Sequence, residues 1–284
     1  MAEITPQLIA KLRQMTNAGM MDCKRALVET QGDLDAAVDL LRQKGVATAA
    51  KKASREAREG VIAQYIQPDS RVGVLVEVNC ETDFVAKNEM FRAFADQVAK
   101  TLAENPGADL EALRTDAIAR IRENIQIARH VRFEVEGNGL VAAYIHTGGK
   151  VGVLVEVGAG KPETVANETF RQLVKDITLQ IAAGSPQAVS RDQLDPAVIE
   201  RERNVYANSD LVKNKPPQAV EKIIQGKLEK FLQGICLLDQ GFVKRNSEVS
   251  VAEHMAEVAK QIGDEVTIRR FARFQVGEAA GGQS

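Results

Sequence analysis

Residues 60–92, GVIAQYIQPDSRVGVLVEVNCETDFVAKNEMFR, align without a gap on residues 139–171, GLVAAYIHTGGKVGVLVEVGAGKPETVANETFR, with 15 of 33 positions identical and the run VGVLVEV kept whole. An internal repeat of this length constrains the architecture more than any single element, because two copies of one unit must take one fold. Each copy reads as two β-strands joined by a polar turn, QPDSR or HTGGK, and then an amphipathic helix. In the first helix Phe91, Phe94, Ala95, Val98 and Leu102 form the inward stripe. The likeness returns at the end of each half: IQIARHVRFEVEG, from Ile125, and VTIRRFARFQVGE, from Val266, share Arg-x-x-Arg-Phe-x-Val. Each half therefore closes with a further strand.

Residue 60 pairs with 139 and residue 125 with 266, so the second half carries an insertion of 62 residues. Its place is the polar stretch after GSP at 184–186, where two helical segments flank a break at 214–217. Val198, Val205 and Leu211 precede the break; Val220, Ile223 and Ile224 follow it. Such a hairpin either folds its apolar side back onto its own core or offers it to a second copy or a partner.

The N-terminus reads as three short helices. Thr5 and Pro6 are an N-cap and first-turn pair, with Leu8, Ile9, Leu12 and Met15 following at helical spacing up to a turn at 17–19. A second helix turns Cys23, Ala26 and Leu27 inward; Gly32 stops it, and Asp33 caps a third that buries Ala37, Leu40 and Leu41 and ends at Gly45. The stretch VATAAKKASREAREG carries charge without a clear apolar face, as a linker or a solvated helix would. The expected class is α+β: a helical bundle over 1–45, a linker over 46–59, a first core half over 60–138, a second over 139–185 and 227–263, a coiled-coil-like helical hairpin over 186–226, and a closing strand and C-terminal segment over 264–284. The tail EAAGGQS reads as disordered.

A net charge of -2 supplies no broad positive field, which argues against sequence-independent binding to a nucleic acid backbone. The opening MAEITPQLIAKLRQ lacks a basic segment followed by a long apolar one, and no apolar run is long enough to cross a bilayer, so a cytoplasmic protein is expected. Three widely spaced cysteines argue against a disulfide or metal framework, and His130, His146 and His254 share no ligand spacing. Neither a phosphate-binding GxxxxGK[ST] loop nor a GxGxxG after a strand is present. No cofactor is expected. An enzyme built on Cys80, with Asp83 and His146 beside it, competes with the simpler reading of Cys80 as a core thiol ending an apolar strand.

The stretch NCETDFVAKNE, 79–89, is where the two copies diverge. Asn88, Glu89, Phe91 and Arg92 match Asn167, Glu168, Phe170 and Arg171, yet Thr82-Asp83-Phe84 faces Lys161-Pro162-Glu163. The scaffold was kept while the aromatic was not. Phe84 either packs inward on the face shared by 84, 88, 91, 95, 98 and 102, with Thr82 or Asp83 as N-cap, or projects toward a partner; Glu163 at the matching position cannot be a buried staple. Met20 and Met21, opening the second helix, are read as core or as contact residues.

TDFVAKN, TNAGMMDCKRAL, GVATAAKKA, KLEKFLQGICLLDQGFVK and RFARFQVGE together resemble the bacterial elongation factor Ts family over nearly the whole chain. The resemblance implies a nucleotide exchange factor for the translational GTPase elongation factor Tu. It implies a ubiquitin-associated-like N-terminal domain gripping the partner's GTP-binding domain, with Arg13, Met20 and Met21 at contact positions. It implies that Asp83 and Phe84, flanked by Thr82 and Val85, enter the partner near its magnesium site, and that His146 in YIHTGG matches a position linked to exchange. A hairpin that makes dimer contacts in some members and a short tail that touches the partner are also implied. The competing class is a chaperone-like or scaffold protein that binds without affecting nucleotide.

Overall fold

Thr5 and Pro6 open the first helix as their types allow: Thr5 Oγ1 accepts from Leu8 N at 3.2 Å, and Pro6 has no N–H to leave unpaired. In the computed structural model, which describes residues 4–16 and 18–278, α1 spans Pro6–Thr16, α2 Met20–Glu29 and α3 Leu34–Lys52. Gly32, at φ 88°, turns the chain after α2, and Asp33 caps α3 by accepting from Ala36 N at 3.0 Å. Leu12, Cys23, Ala26, Leu27 and Ala37 meet in one buried cluster. The turn expected at 17–19 rests in part on Asn17, which lies outside the described residues.

The third helix does not end at Gly45, which corrects the expected stop and the linker drawn from 46. It continues to Lys52 because Gly45 is a packing position: a Cβ there would sit 3.5 Å from Ala119 Cβ and 3.7 Å from Thr115 Cγ2 on α6 (Glu111–Ile121), and its absence lets the two helices come close. Residues 46–52 are helical, as one of the two readings of VATAAKKA expected, but not solvated all round, since Ala49 is buried in the first core.

The first sheet contains β1 (Glu59–Ile66), β2 (Val72–Cys80) and β3 (Gln126–Glu134), all antiparallel in that order; α4 (Asp83–Ala86), α5 (Glu89–Glu104) and α6 separate β2 from β3. The second contains β4 (Gly139–Ile145), β5 (Val151–Ala159) and β6 (Val266–Gln275) in the same arrangement. Between β5 and β6 run α7 (Glu168–Gly184), α8 (Pro196–Ala207), α9 (Pro217–Ile235) and α10 (Val251–Ile262). Both middle strands carry a register shift at the same step of the repeat, Glu77/Val78 and Glu156/Val157.

Side-chain alternation explains why VGVLVEV stays apolar throughout. Val74, Val76 and Val78 pack outward on Phe91, Ala95 and Val98 of α5, and Val153, Val155 and Val157 on Phe170, Val174 and Ile177 of α7. The other face meets the other sheet: Ile62, Leu75, Phe133, Val141, Leu154 and Phe274 form one cluster between them. A strand covered on both sides reads as a continuous apolar run. The glycine of the motif marks the close approach, since a Cβ on Gly73 would lie 2.6 Å from Val141 Cγ1 and 3.0 Å from Leu154 Cδ1.

The acid of the same motif is also buried. Glu77 and Glu156 are each 2% exposed and are answered by arginines from the closing strands, Arg129 at 2.8 Å and Arg270 at 2.7 Å. Each guanidinium then lies over a ring of the opposite sheet: Arg129 is 4.3 Å from the Phe274 centroid and Arg270 4.4 Å from that of Phe133. The two halves are joined reciprocally. Gly277 N adds a bond to Glu77 Oε1 at 3.0 Å, so the end of the chain docks on the first sheet. The tail from 279, expected to be disordered, lies outside the described residues.

The inserted hairpin differs from expectation at both ends. α8 stops at Ala207, where Asn208 turns its side chain back onto Asn204 O at 2.8 Å, so Leu211 falls in the turn, and α9 continues past 226 to Ile235. Ile199 of α8 meets Leu228, Phe231 and Leu232 of α9. Among the described residues none of α8 is buried, and Val205 and Leu211 remain exposed. The start of α8 is thus folded back, with Val198 and Ile199 partly buried, while Val205 and Leu211 further along are left open. No helix among the described residues is long and apolar enough to cross a membrane.

Candidate functional site

The end of β2 leads directly into the segment where the two copies part. Cys80 is fully buried and donates to Thr82 O at 3.2 Å; burial, aided by the Glu123 carboxylate, pushes its thiol up to about 12. At neutral pH it is a thiol and not a thiolate, the wrong state for a nucleophile. His146 is engaged elsewhere, its Nδ1 being 3.0 Å from Tyr144 Oη. Cys23 and Cys236 are buried as well. The folded chain is accordingly expected to resist an aromatic disulfide reagent at pH 8 and to release three equivalents of colour only on unfolding; rapid labelling of the native chain would contradict this assignment.

Thr82 caps α4, its Oγ1 accepting from Val85 N at 3.3 Å. Ala86 is buried and Val85 packs partly on the first core, which fixes the inward side of this single turn. Phe84 takes the outward side and is 81% exposed. The shared helical face that would have drawn it inward does not exist, because one helix does not run through 84 and 91. Asn88, extended at ψ 134°, interrupts the chain and starts α5 by accepting from Met90 N at 2.8 Å. Phe91 fills the core position instead.

Asp83, beside the ring, is half-exposed and pairs with Lys87 at 2.7 Å. The hydrogen bond from Lys87 holds its carboxyl below the usual carboxylate range, so it is ionised at neutral pH. The turn is gripped from the α6–β3 side by Glu123. Its carboxylate accepts from Glu81 N at 2.9 Å, from Thr82 N at 3.0 Å and from Thr82 Oγ1 at 2.6 Å. The second copy holds its own tip similarly, with Asp264 accepting from Lys161 N at 2.9 Å and Thr164 Oγ1 at 2.5 Å, but presents an exposed Glu163 where the first presents Phe84.

The structure gathers Thr82, Asp83, Phe84 and Val85 into one turn, and the other sequence-derived positions lie on other elements. Arg13 is exposed on α1. Met20 and Met21 are 58% and 64% exposed, which corrects the reading of them as core: burial on α2 begins at Cys23, and its first turn lies beyond the packed face. His146 is exposed in the β4–β5 turn, which is tied to the first sheet by the bond from Ile62 N to Gly149 O at 2.6 Å. Among the described residues no three His, Cys, Asp or Glu side chains are grouped to hold a metal ion.

Glu123 was not singled out by the sequence. The signal was present, however: extending the second alignment two residues back from Ile125 and Val266 pairs Glu123 with Asp264.

A family model described as elongation factor TS matches residues 81–278. The chain is 46% identical over 285 residues to elongation factor Ts of Symbiobacterium thermophilum, covering 98% of this chain and 93% of that one. It is 43% identical over 279 residues to elongation factor Ts of Nitratidesulfovibrio vulgaris, covering 98% and 97%. With elongation factor Ts of Nostoc punctiforme it shares 42% over 295 residues, covering 98% and 94%.

Proposed function

The chain belongs to the elongation factor Ts family, and from that premise we propose that it is a guanine nucleotide exchange factor that binds elongation factor Tu and promotes GDP release in the elongation step of protein synthesis. The observation that carries the mechanism is the bare ring of Phe84 on a rigidly held turn. A lone exposed ring is ordinary by itself; what favours a partner here is its fixed seat and the exposed Glu163 that stands in its place in the second copy.

GDP and Mg²⁺ bind a GTPase together because the metal neutralises phosphate charge and is held by loops that the nucleotide orders. Phe84 enters the space those loops need, while Asp83 supplies a fixed negative charge beside it. The complex is then strongest when the metal site is disturbed. By linkage, the factor by which GDP lowers the affinity for this chain is the factor by which this chain lowers the affinity for GDP. Nothing in that cycle requires bond-making, and the factor acts as no chemical catalyst.

The bundle over 1–45 serves as a ubiquitin-associated-like grip on the partner's GTP-binding domain through Arg13, Met20 and Met21, and its affinity sustains the strain at the metal. His146 acts from the second core half on another part of the partner. The exposed Val205 and Leu211 leave the hairpin open to a second copy of this chain, and a role in translation supports a cytoplasmic protein.

Release of a fluorescent GDP from elongation factor Tu, chased with unlabelled nucleotide, separates exchange from passive binding. Substoichiometric amounts of this chain are expected to empty the whole pool, whereas a chaperone or scaffold leaves the spontaneous rate unchanged. Serine at both Met20 and Met21 is expected to raise the concentration for half-maximal exchange by about tenfold, as lost apolar burial predicts, without lowering the saturated rate. An unaltered half-maximal concentration would remove the bundle from the interface.

A further inference from the structure

Three consecutive residues between α6 and β3 hold three different parts of the first half. Arg122 ends α6 in the left-handed region at φ 67°, where glycine is favoured, and glycine is what the second copy has there: Gly263, also at φ 67°. The side chain kept at this awkward position pairs its guanidinium with Asp22 of α2, next to Met21, while its carbonyl accepts from Lys52 at the end of α3. Glu123 takes the two backbone N–H groups and the hydroxyl described above. Asn124 donates from its backbone N–H to Glu81 Oε1 at 2.6 Å and from Nδ2 to Arg55 O at 2.6 Å, and Arg55 in turn reaches Glu81.

We infer that Glu123 is the positioning residue of Phe84, and that the Arg122-Glu123-Asn124 segment fastens the N-terminal bundle and the ring-bearing turn into one unit; this rests on the exchange reading above. The Glu123 carboxylate bonds to the backbone and hydroxyl of the turn and not to the ring. It sets where the ring points by removing the freedom of Glu81 and Thr82, the two residues from which α4 starts. An acid at this step of the repeat belongs to the shared scaffold, as Asp264 shows, but the first copy has both carboxylate oxygens engaged on the turn and adds the Arg122 link to the bundle. A ring entering a metal pocket gains from that rigidity, because a small misplacement of a contacting group is costly in rate.

The test uses the full chain and catalysed release of fluorescent GDP. Glu123→Ala is expected to slow saturated release by about tenfold when Phe84 is present and by less than about twofold in a Phe84→Ala background, the pattern of a residue acting through another. Glu123→Gln, which keeps an oxygen for the backbone N–H groups, is expected to recover most of the rate. Because the chain has no tryptophan, Phe84→Trp gives a single reporter, and Glu123→Ala in that background is expected to increase the fast component of its anisotropy decay. Should Glu123→Ala fail to fold, Thr82→Val, which removes the hydroxyl bond to Glu123 together with the cap on Val85 N, is expected to slow release when Phe84 is present and not in the Phe84→Ala background. Equal slowing with and without Phe84 would overturn the inference, as would an unchanged rate or an unchanged reporter. If Phe84→Ala alone leaves release untouched, the exchange mechanism itself fails, an outcome distinct from a silent Glu123.

Discussion

Alanine at both Asp83 and Phe84 leaves the thermal midpoint of the chain unchanged and slows catalysed GDP release by about ten- to one hundred-fold. The first half of that expectation follows from exposure: with the ring 81% open to solvent, its removal opens no cavity, and the cap on α4 is supplied by Thr82, not Asp83. The second half follows from the role the proposed mechanism assigns to the ring. Burying a phenylalanine in a partner contributes roughly 1.5 to 3 kcal/mol, and where that contact forms only with the metal site displaced, its loss appears in the rate. On the proposed mechanism Asp83, which pairs with Lys87 on the free chain, contributes direction more than energy. Release kinetics unchanged by the double substitution would reject the wedge, and a lowered thermal midpoint would reject the claim that the ring is outside the fold.

The largest stability effect lies where the two halves meet. Arg129→Met is expected to cost about 3 to 5 kcal/mol, because it leaves the Glu77 carboxylate, 2% exposed, without its cation. Methionine retains much of the packing over Phe274, so the loss isolates charge from volume. The remaining bond from Gly277 N cannot replace a guanidinium. Combining Arg129→Met with Glu77→Leu removes the stranded charge and is expected to restore most of the stability. Denaturant midpoints for the single and double variants measure this; a single-variant loss below about 1 kcal/mol would mean that water reaches Glu77.

Glu77 also illustrates which contacts escape a sequence reading. In VGVLVEV it reads as the one polar position of an apolar strand, with no hint that its partner is Arg129, 52 residues away. Gly45 misled for a related reason. Locally it resembles a helix stop, and only the close passage of Ala119 and Thr115 makes it a helix interior. The stripe Phe91, Phe94, Ala95, Val98 and Leu102 was legible because its periodicity lies within one helix, and all five side chains are buried.

Repetition and periodicity compare a chain with itself, so the strand–turn–strand–helix unit, its second appearance, the closing strands and the turn singled out by divergence could be read from residues alone. Whether Phe84 stays bare, and what holds it so, could not. That outcome depends on Asn88 interrupting the helix and on a carboxylate, Glu123, arriving from 41 residues away to fix the N–H of Thr82. Exposure is a relation among segments distant in sequence, and such relations exist only after the backbone groups and apolar faces of the whole chain have found their partners.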